Sequence, residues 1–337
     1  MANTRRLDLQ DAGDRRLVVI ANPTAGINAG RPSQHRPLQA ARKDLENAGF
    51  LVELHTEPDP VKVQELAARA VGSGFLNIVA AGGDGTINAV VNGIMSQAEN
   101  PEVNMQAVRL GILPFGTGNV FAYNLGIGKT WREACQVIRA GNSRPIDVGL
   151  ACANKTNEAG EIEELRRHFL LMAGIGFDAK VIEDTSLRLK YVLRDFAYVL
   201  KILQNVVVHQ GTQMTLRFAD GRIYANESWM VMVGNAASYA WDLKFTAHAR
   251  LDDGMVDVCL MPYQNKLVSV QQVVQILTGQ HVENGDAEYW KVPGVTIESE
   301  PPVPVQLDGD EWAQTPVKIS VSPSALHFLA PPEPNGN

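Results

Sequence analysis

Residues 75–94 limit the possible folds more than any other stretch of this chain. An apolar run from Phe75 to Ala81 reads as a buried strand. It stops at Gly82-Gly83-Asp84-Gly85-Thr86, and a helical pattern of Ile87, Val90, Val91 and Ile94 follows at once. A strand that ends in a glycine turn and opens into a helix is an α/β unit. The glycines let the backbone approach an anion closely, and the helix start offers unpaired N–H groups and a positive dipole end. Asp84 is the unusual member, because a bare carboxylate would repel phosphate. Its expected task is a divalent cation or an activating water. The loop therefore points to Mg²⁺-nucleotide chemistry. The competing reading is a tight turn with no ligand.

The neighbouring segments extend the same pattern. Leu17 to Ala21 is a short apolar strand followed by Asn22-Pro23-Thr24-Ala25-Gly26. Leu38, Ala41, Leu45 and Ala48 recur at helical spacing, and Gly49 ends that helix. Phe50 to Thr56 alternates like a strand, and Val61 to Val71 reads as a helix. Arg109 to Leu113 is a further strand, broken by Gly116-Thr117-Gly118-Asn119, and a helix is expected over Trp131 to Ala140. Strands alternating with helices predict a mostly parallel sheet covered on both faces. In such sheets ligands bind outside the carboxyl ends of the strands, and three strand ends here carry polar, glycine-containing loops. Taken singly, the loop at 22–26 is equally an Asx turn closed by Asn22, and the loop at 116–119 equally a helix cap.

The texture changes near Pro145. Strands are expected at 168–173, 213–218, 222–226, 229–233, 255–261, 292–297, 303–307 and 317–321, with Asp220-Gly221 as a hairpin turn. Helices are expected at 187–208 and 268–278. The fold class is thus an N-terminal three-layer α/β nucleotide-binding domain, residues 15–144, and a C-terminal antiparallel β-sandwich domain, residues 145–330. The last strand is a candidate to return to the first domain. Residues 1–14 and 331–337 read as flexible termini.

Composition removes several function classes. The net charge of −7 gives no electrostatic case for a nucleic-acid partner. Three scattered cysteines form neither a disulfide framework nor a zinc motif. Neither an apolar leader nor an apolar run of membrane-spanning length is present in the sequence, so a cytoplasmic location is expected. Peripheral contact with the inner face of a membrane stays compatible with that.

Two acidic turns lie late in the chain. Leu307-Asp308-Gly309-Asp310-Glu311 follows an apolar strand, and its carboxylates are candidates for a general base. Arg250-Leu251-Asp252-Asp253-Gly254-Met255 could hold a hard cation through Asp253 and nearby carbonyls. Taken alone, each reads first as a solvated turn. The expected helix at 187–208 carries an apolar stripe of Leu189, Val192, Phe196, Leu200, Leu203 and Val207 beside Arg188, Lys190, Arg194 and Lys201. It reads either as a core helix or as part of a lipid pocket with anionic headgroups nearby. Trp229, Tyr239 and Trp241 carry the same pair of readings.

In order along the chain stand Asn22-Pro23-x-x-Gly26, Gly82-Gly83-Asp84-Gly85-Thr86 with Asn88 and Asn92-Gly93, Gly116-Thr117-x-Asn119, Ile146-Asp147-x-Gly149, Asp252-Asp253-Gly254 and Leu307-Asp308-Gly309. This set resembles the diacylglycerol kinase catalytic-domain family, which includes sphingosine kinases, ceramide kinases and bacterial lipid kinases. The resemblance spans about residues 15–330. It implies an ATP- and Mg²⁺-dependent lipid kinase with its active site in an interdomain cleft. Its substrate would be a lipid alcohol, such as diacylglycerol or a sphingoid base, at a membrane surface; a homodimer is compatible. Asn22, Pro23, Thr24, Ala25, Gly26, Thr56, Gly82, Gly83, Asp84, Gly85, Thr86, Asn88 and Thr117 would line the ATP site. Asp84 and Asp147 would belong to a carboxylate network around the Mg²⁺. Asp253, with main-chain oxygens of Arg250 and Met255, would hold a second, structural Mg²⁺. Asp310, with Asp308 as partner or substitute, would supply the base, and Asp84 would assist catalysis.

Two positions depart from the family pattern. Val120 stands where many members carry Asp, which removes one carboxylate from the Mg²⁺ network. Asp310 stands where Glu is usual, so the base is one methylene shorter. These departures motivate a catalytically silent lipid- or nucleotide-binding protein as one alternative. An NAD kinase is the other, although residues 116–126 do not resemble the Thr-Gly-Ser-Thr-Ala-Tyr pattern of that family.

Overall fold

The computed structural model describes residues 15–26, 35–156, 160–176, 211–237 and 244–332. The chain forms two compact units. One is Met1–Asp147 with Ser324–Asn337, and the other is Val148–Pro323. The expected helix at 187–208, Tyr239, Trp241 and both outer tails (1–14 and 333–337) lie outside the described residues.

The first unit is built on four parallel strands: β1 (Arg16–Ala21), β2 (Leu51–Thr56), β3 (Asn77–Gly82) and β4 (Arg109–Pro114). Their order is β4-β3-β1-β2. β3 and β4 are buried at every position and β1 at all but its first, so their near-continuous apolar sequences suit strands covered on both faces. β2 is the edge, and its burial alternates. The chain crosses from β1 to β2 on one side, then returns past β1 to β3 on the other. Right-handed crossovers therefore send α1 (His35–Asn47) and α2 (Pro60–Gly72) to opposite faces, which gives three layers.

α2 packs against α3 (Asp84–Met95) so closely that a Cβ at Gly93 would overlap the Gln64 carbonyl oxygen. Gly93 is therefore a packing requirement. The next helix, α4, is a five-residue piece (Val120–Asn124) that helical periodicity is too short to reveal. α5 (Trp131–Ala140) starts with a Thr130–Glu133 capping box and ends at the left-handed Gly141. Its Ile138 packs over Gly111 of β4, where a Cβ would stand 3.1 Å from the Ile138 side chain.

The second unit is antiparallel. After β5 (Ser143–Thr156), which enters from the first unit, come β6 (Ile162–Phe169), β7 (Met172–Gly176), β8 (Thr212–Phe218), β9 (Ile223–Gly234) and β10 (Val256–Pro262). A helix, α6 (Lys266–Thr278), precedes β11 (Glu288–Val292), β12 (Gly294–Glu300), β13 (Pro304–Leu307), β14 (Asp310–Gln314) and β15 (Val317–Leu329). The order is β14-β13-β7-β9-β8-β12-β15, with β10 on β9, β11 on β10, and β5 paired with β6. Its core gathers Phe169, Ile175, Met214, Leu216, Val231, Val258, Ile297, Val305 and Ile319.

Several elements differ from the sequence expectation. The strand expected at 168–173 is two strands, β6 and β7, because the N–H groups of Leu170 and Leu171 bond to the Asp308 carboxylate instead of to a ladder. The two expected at 222–226 and 229–233 are one strand, β9. β15 continues past Val321 to Leu329, and from Ser324 onward it belongs to the first unit, where His327 and Phe328 pair in parallel with Arg109 and Leu110 of β4. Trp229 is a core residue, 2% exposed, with its indole N–H donated to Gln272 Oε1 at 2.7 Å.

Candidate functional site

Because β1 to β4 are parallel, their carboxyl ends share one edge of the sheet. Asn22-Pro23-Thr24-Ala25-Gly26 leaves β1, Thr56 ends β2, Gly82 to Thr86 joins β3 to α3, and Gly116 to Asn119 joins β4 to α4. The chain runs from β1 outward in both directions, so the β1/β3 boundary is the topological switch point where open α/β sheets bind ligands. The Asn22 main-chain N–H donates across it to the Ala81 carbonyl at 3.0 Å.

Two of these loops meet backbone to backbone. A Cβ on Gly116 would overlap the Gly83 Cα, and one on Gly83 would lie 3.1 Å from the Gly116 Cα. Asp84 joins the same loops by hydrogen bonds. Its Oδ2 accepts the Val120 N–H at 3.1 Å and its Oδ1 the Phe121 N–H at 2.9 Å. Asn119 holds the second loop in shape from a left-handed conformation, φ 52°. Its Oδ1 accepts the Gly116 N–H at 2.9 Å, and its Nδ2 donates to the Gly116 carbonyl at 3.0 Å.

The other nucleotide-site candidates divide by exposure. The Asn22 side chain accepts both the Thr24 N–H and the Thr24 hydroxyl, at 2.8 and 2.7 Å, so the Asx turn is present. Gly26 follows with φ 85°. Thr86 packs beneath Gly82, and Asn88 is buried and receives an Asn92 Nδ2 hydrogen bond on its Oδ1. Thr24, Thr56, Gly85 and Thr117 are exposed along the edge. Asp147 is buried, and its Oδ1 accepts the Ser324 N–H at 2.7 Å. That bond ties together the two chain segments that make up this unit.

In the β-rich unit the two acidic residues of the late turn have different surroundings. Asp308, at φ 51°, accepts main-chain N–H groups from Leu170, Leu171 and Met172 at 2.8, 2.8 and 3.1 Å. Asp310 opens β14 with its side chain 60% exposed and paired to Arg167 at 2.8 Å. Asp308 therefore anchors the turn, while Asp310 stands accessible on it. On β6, burial and then the Arg166 charge push the His168 imidazole down to about 4.

The turn at 250–255 holds Asp253 by both oxygens. Oδ1 accepts the Met255 N–H at 3.1 Å and Oδ2 accepts from Lys291 Nζ at 2.7 Å. A divalent ion on Asp253 with the main-chain oxygens of Arg250 and Met255 would have to displace that ammonium. Asp257 lies just beyond, 1% exposed, and burial pushes its carboxyl up. Among the described residues no cluster of three or more His, Cys, Asp or Glu side chains is arranged to hold a metal ion. No described helix is long and apolar enough to cross a membrane.

Sequence reasoning missed Arg167, Lys291 and Asp257. Asp257 alone left a signal, as an acid inside the apolar run 255–261.

Comparison with known proteins agrees with this architecture. The Diacylglycerol kinase catalytic domain family matches residues 16–151, and the YegS C-terminal NAD kinase beta sandwich-like domain matches residues 172–330. A probable lipid kinase YegS-like protein of Chromohalobacter salexigens is 30% identical over 79% of this chain and 79% of its own length. A diacylglycerol kinase of Staphylococcus carnosus is 28% identical over 90% of this chain and 92% of its own. A crystal structure from Bacillus anthracis str. Sterne, assigned by name to the diacylglycerol kinases, superposes with a TM-score of 0.76. It covers 97% of this chain and 98% of its own at 22% identity, a likeness that fixes the fold alone.

Proposed function

Because this chain belongs to the diacylglycerol kinase and YegS-like lipid kinase family, we propose that it transfers the γ-phosphate of Mg-ATP to the hydroxyl of a lipid alcohol. The observation that carries the nucleotide half is the clamp at the sheet edge, where Asp84 binds the Val120 and Phe121 amides and Gly83 lies against Gly116. Bare backbone at a strand end and the start of α3 suit a polyphosphate. The exposed Thr24, Thr56 and Thr117 add hydroxyls along that edge. Mg²⁺ would arrive with the nucleotide and neutralise phosphate charge, with Asp84 and Asp147 as the carboxylates that the family resemblance assigns to it.

For the acceptor half, the Asp310 carboxylate takes the proton of the lipid hydroxyl. The hydroxyl oxygen then bonds to the γ-phosphorus as the bond to the bridging oxygen breaks, and ADP leaves. Asp308 keeps the turn in place through its three main-chain partners. Diacylglycerol is the first candidate acceptor, since it names the family and the Staphylococcus relative, and a sphingoid base is the second. The protein would work as a peripheral visitor to the cytoplasmic face of a membrane.

The match to a β-sandwich described as NAD kinase-like keeps one other acceptor in play, NAD. The test is incubation with γ-labelled ATP and a total lipid extract, alongside a parallel reaction with NAD, and identification of each labelled product by mass. A labelled phospholipid is expected. Label on NAD and on no lipid would overturn the assignment. ATP binding without labelling of either would move the chain to the silent, binding-protein reading.

A further inference from the structure

The acidic turn at 250–255 contains a cation of its own. Lys291 lies on β11, and its register partner on β10 is Asp257. The sheet therefore delivers this ammonium to the same spot in every folded molecule. There it meets three oxygens. Asp253 Oδ2 is at 2.7 Å, the His248 main-chain oxygen at 3.5 Å and Asp257 Oδ2 at 3.9 Å. An ammonium has three donors and no acceptor, so its valence matches this set.

The surroundings show why a cation is needed. The Asp257 side chain is 1% exposed, and neither carboxylate oxygen has a hydrogen bond of good geometry. The Tyr289 hydroxyl stands beside it and accepts the His248 N–H at 3.4 Å. Asp253 is itself only 21% exposed. Arg250, the other cation of the turn, pairs with Asp252, at 3.2 Å. Two carboxylates close together and shielded from water require compensation by a positive charge.

We propose that Lys291 is a tethered cation that closes the Asp253 turn in place of a bound metal ion. The β-rich unit of this protein then keeps its 250–255 turn without a divalent cation. A resident Mg²⁺ at Asp253 is excluded by like charge while the ammonium is there. The inference concerns structure and does not depend on the acceptor proposed above. Its test reads stability and metal content, so failure of the lipid assay leaves it standing, and the reverse.

The experiment uses the full chain without nucleotide. Wild type, Lys291→Met and Lys291→Arg are treated with EDTA, and their thermal midpoints are measured with and without added Mg²⁺ or Ca²⁺. Wild-type metal content is measured by elemental analysis. The wild-type midpoint is expected to be the same under both conditions, with no divalent ion retained. Lys291→Met should melt lower in EDTA by about 5 °C or more and recover when the cation is added; Lys291→Arg, which keeps the charge, should stay near wild type. One retained divalent ion per wild-type chain would overturn the proposal. So would a wild-type midpoint that falls with EDTA, or a Lys291→Met midpoint equal to wild type. If Lys291→Met does not fold, the two wild-type measurements decide alone.

Discussion

Replacing Asp84 with Ala tests how much of this residue's role is chemical and how much is architectural. The carboxylate accepts two main-chain N–H groups, from Val120 at 3.1 Å and Phe121 at 2.9 Å. Alanine leaves both donors without a protein acceptor. Hydrogen bonds to a charged group contribute about 1.5–3 kcal/mol each, and these two are only part-buried, so the lower end applies and the pair is worth about 3 kcal/mol. Spread over a unit of this size, that is a fall of about 6–12 °C in thermal midpoint. Asp84→Asn retains one acceptor oxygen but turns the other contact into N–H facing N–H, so its midpoint should fall between wild type and alanine. Loss of phosphotransfer in Asp84→Ala would therefore not by itself place chemistry at the carboxylate. The assay must pair melting curves with ATP titration and turnover measured well below both midpoints. An Asp84→Ala midpoint within about 1 °C of wild type would refute the clamp. A folded Asp84→Ala protein with wild-type turnover would refute the catalytic role.

Two other perturbations separate roles that look alike in the sequence. Asp308→Ala removes three part-buried main-chain hydrogen bonds and should cost about 4–5 kcal/mol in urea unfolding. Asp310→Ala, whose partner is a surface arginine, should change stability by less than about 1 kcal/mol yet lower turnover by about 10²–10⁴-fold; full turnover in Asp310→Ala would remove it as the base. His168 gives a pH signature. Its folded value of about 4 lies below the ordinary imidazole value, so the unfolded chain takes up the proton first. That contribution is complete above about pH 6.5 and is lost as pH falls toward 4, at most about 3 kcal/mol and less for a half-buried ring. Urea midpoints of wild type should thus drop more steeply on acidification than those of His168→Gln, and parallel slopes would contradict the assignment.

Local signals were legible in the sequence, and long-range ones were not. The strand ends at Ala21, Gly82 and Pro114 are marked by glycine and by the abrupt loss of apolar residues, and all three fall within a residue or so of expectation. The capping box at Thr130 sits where the Trp131 helix was expected to begin. Most of β6, all but its last two residues, was missed for a physical reason. β6 carries Glu163, Glu164, Arg166 and Arg167 and is mostly solvent-facing, so only its ladder with β5 makes it a strand. The break between β6 and β7 depends on Asp308, which follows it by 136 to 138 residues, and no window on the sequence contains both. Lys291 and Asp257 likewise meet only because β10 and β11 pair in one register.

The position at Val120 gains a different meaning from the structure. Its contribution to the clamp is a main-chain N–H, which any residue except proline supplies, so the clamp survives the departure from Asp. What the departure removes is a second side-chain carboxylate beside Asp84. Each Asp84 oxygen already accepts one N–H, leaving about one lone pair apiece for anything else. Asp147, the other implied carboxylate, accepts the Ser324 N–H on one oxygen and is 1% exposed. Among the described residues these two carboxylates by themselves do not make an all-protein cage for a hard cation, and Mg²⁺ is ordinarily held by one or two carboxylates together with substrate phosphates. On the proposed kinase reading, the cation would therefore enter already bound to the nucleotide, with the phosphates supplying the further ligands.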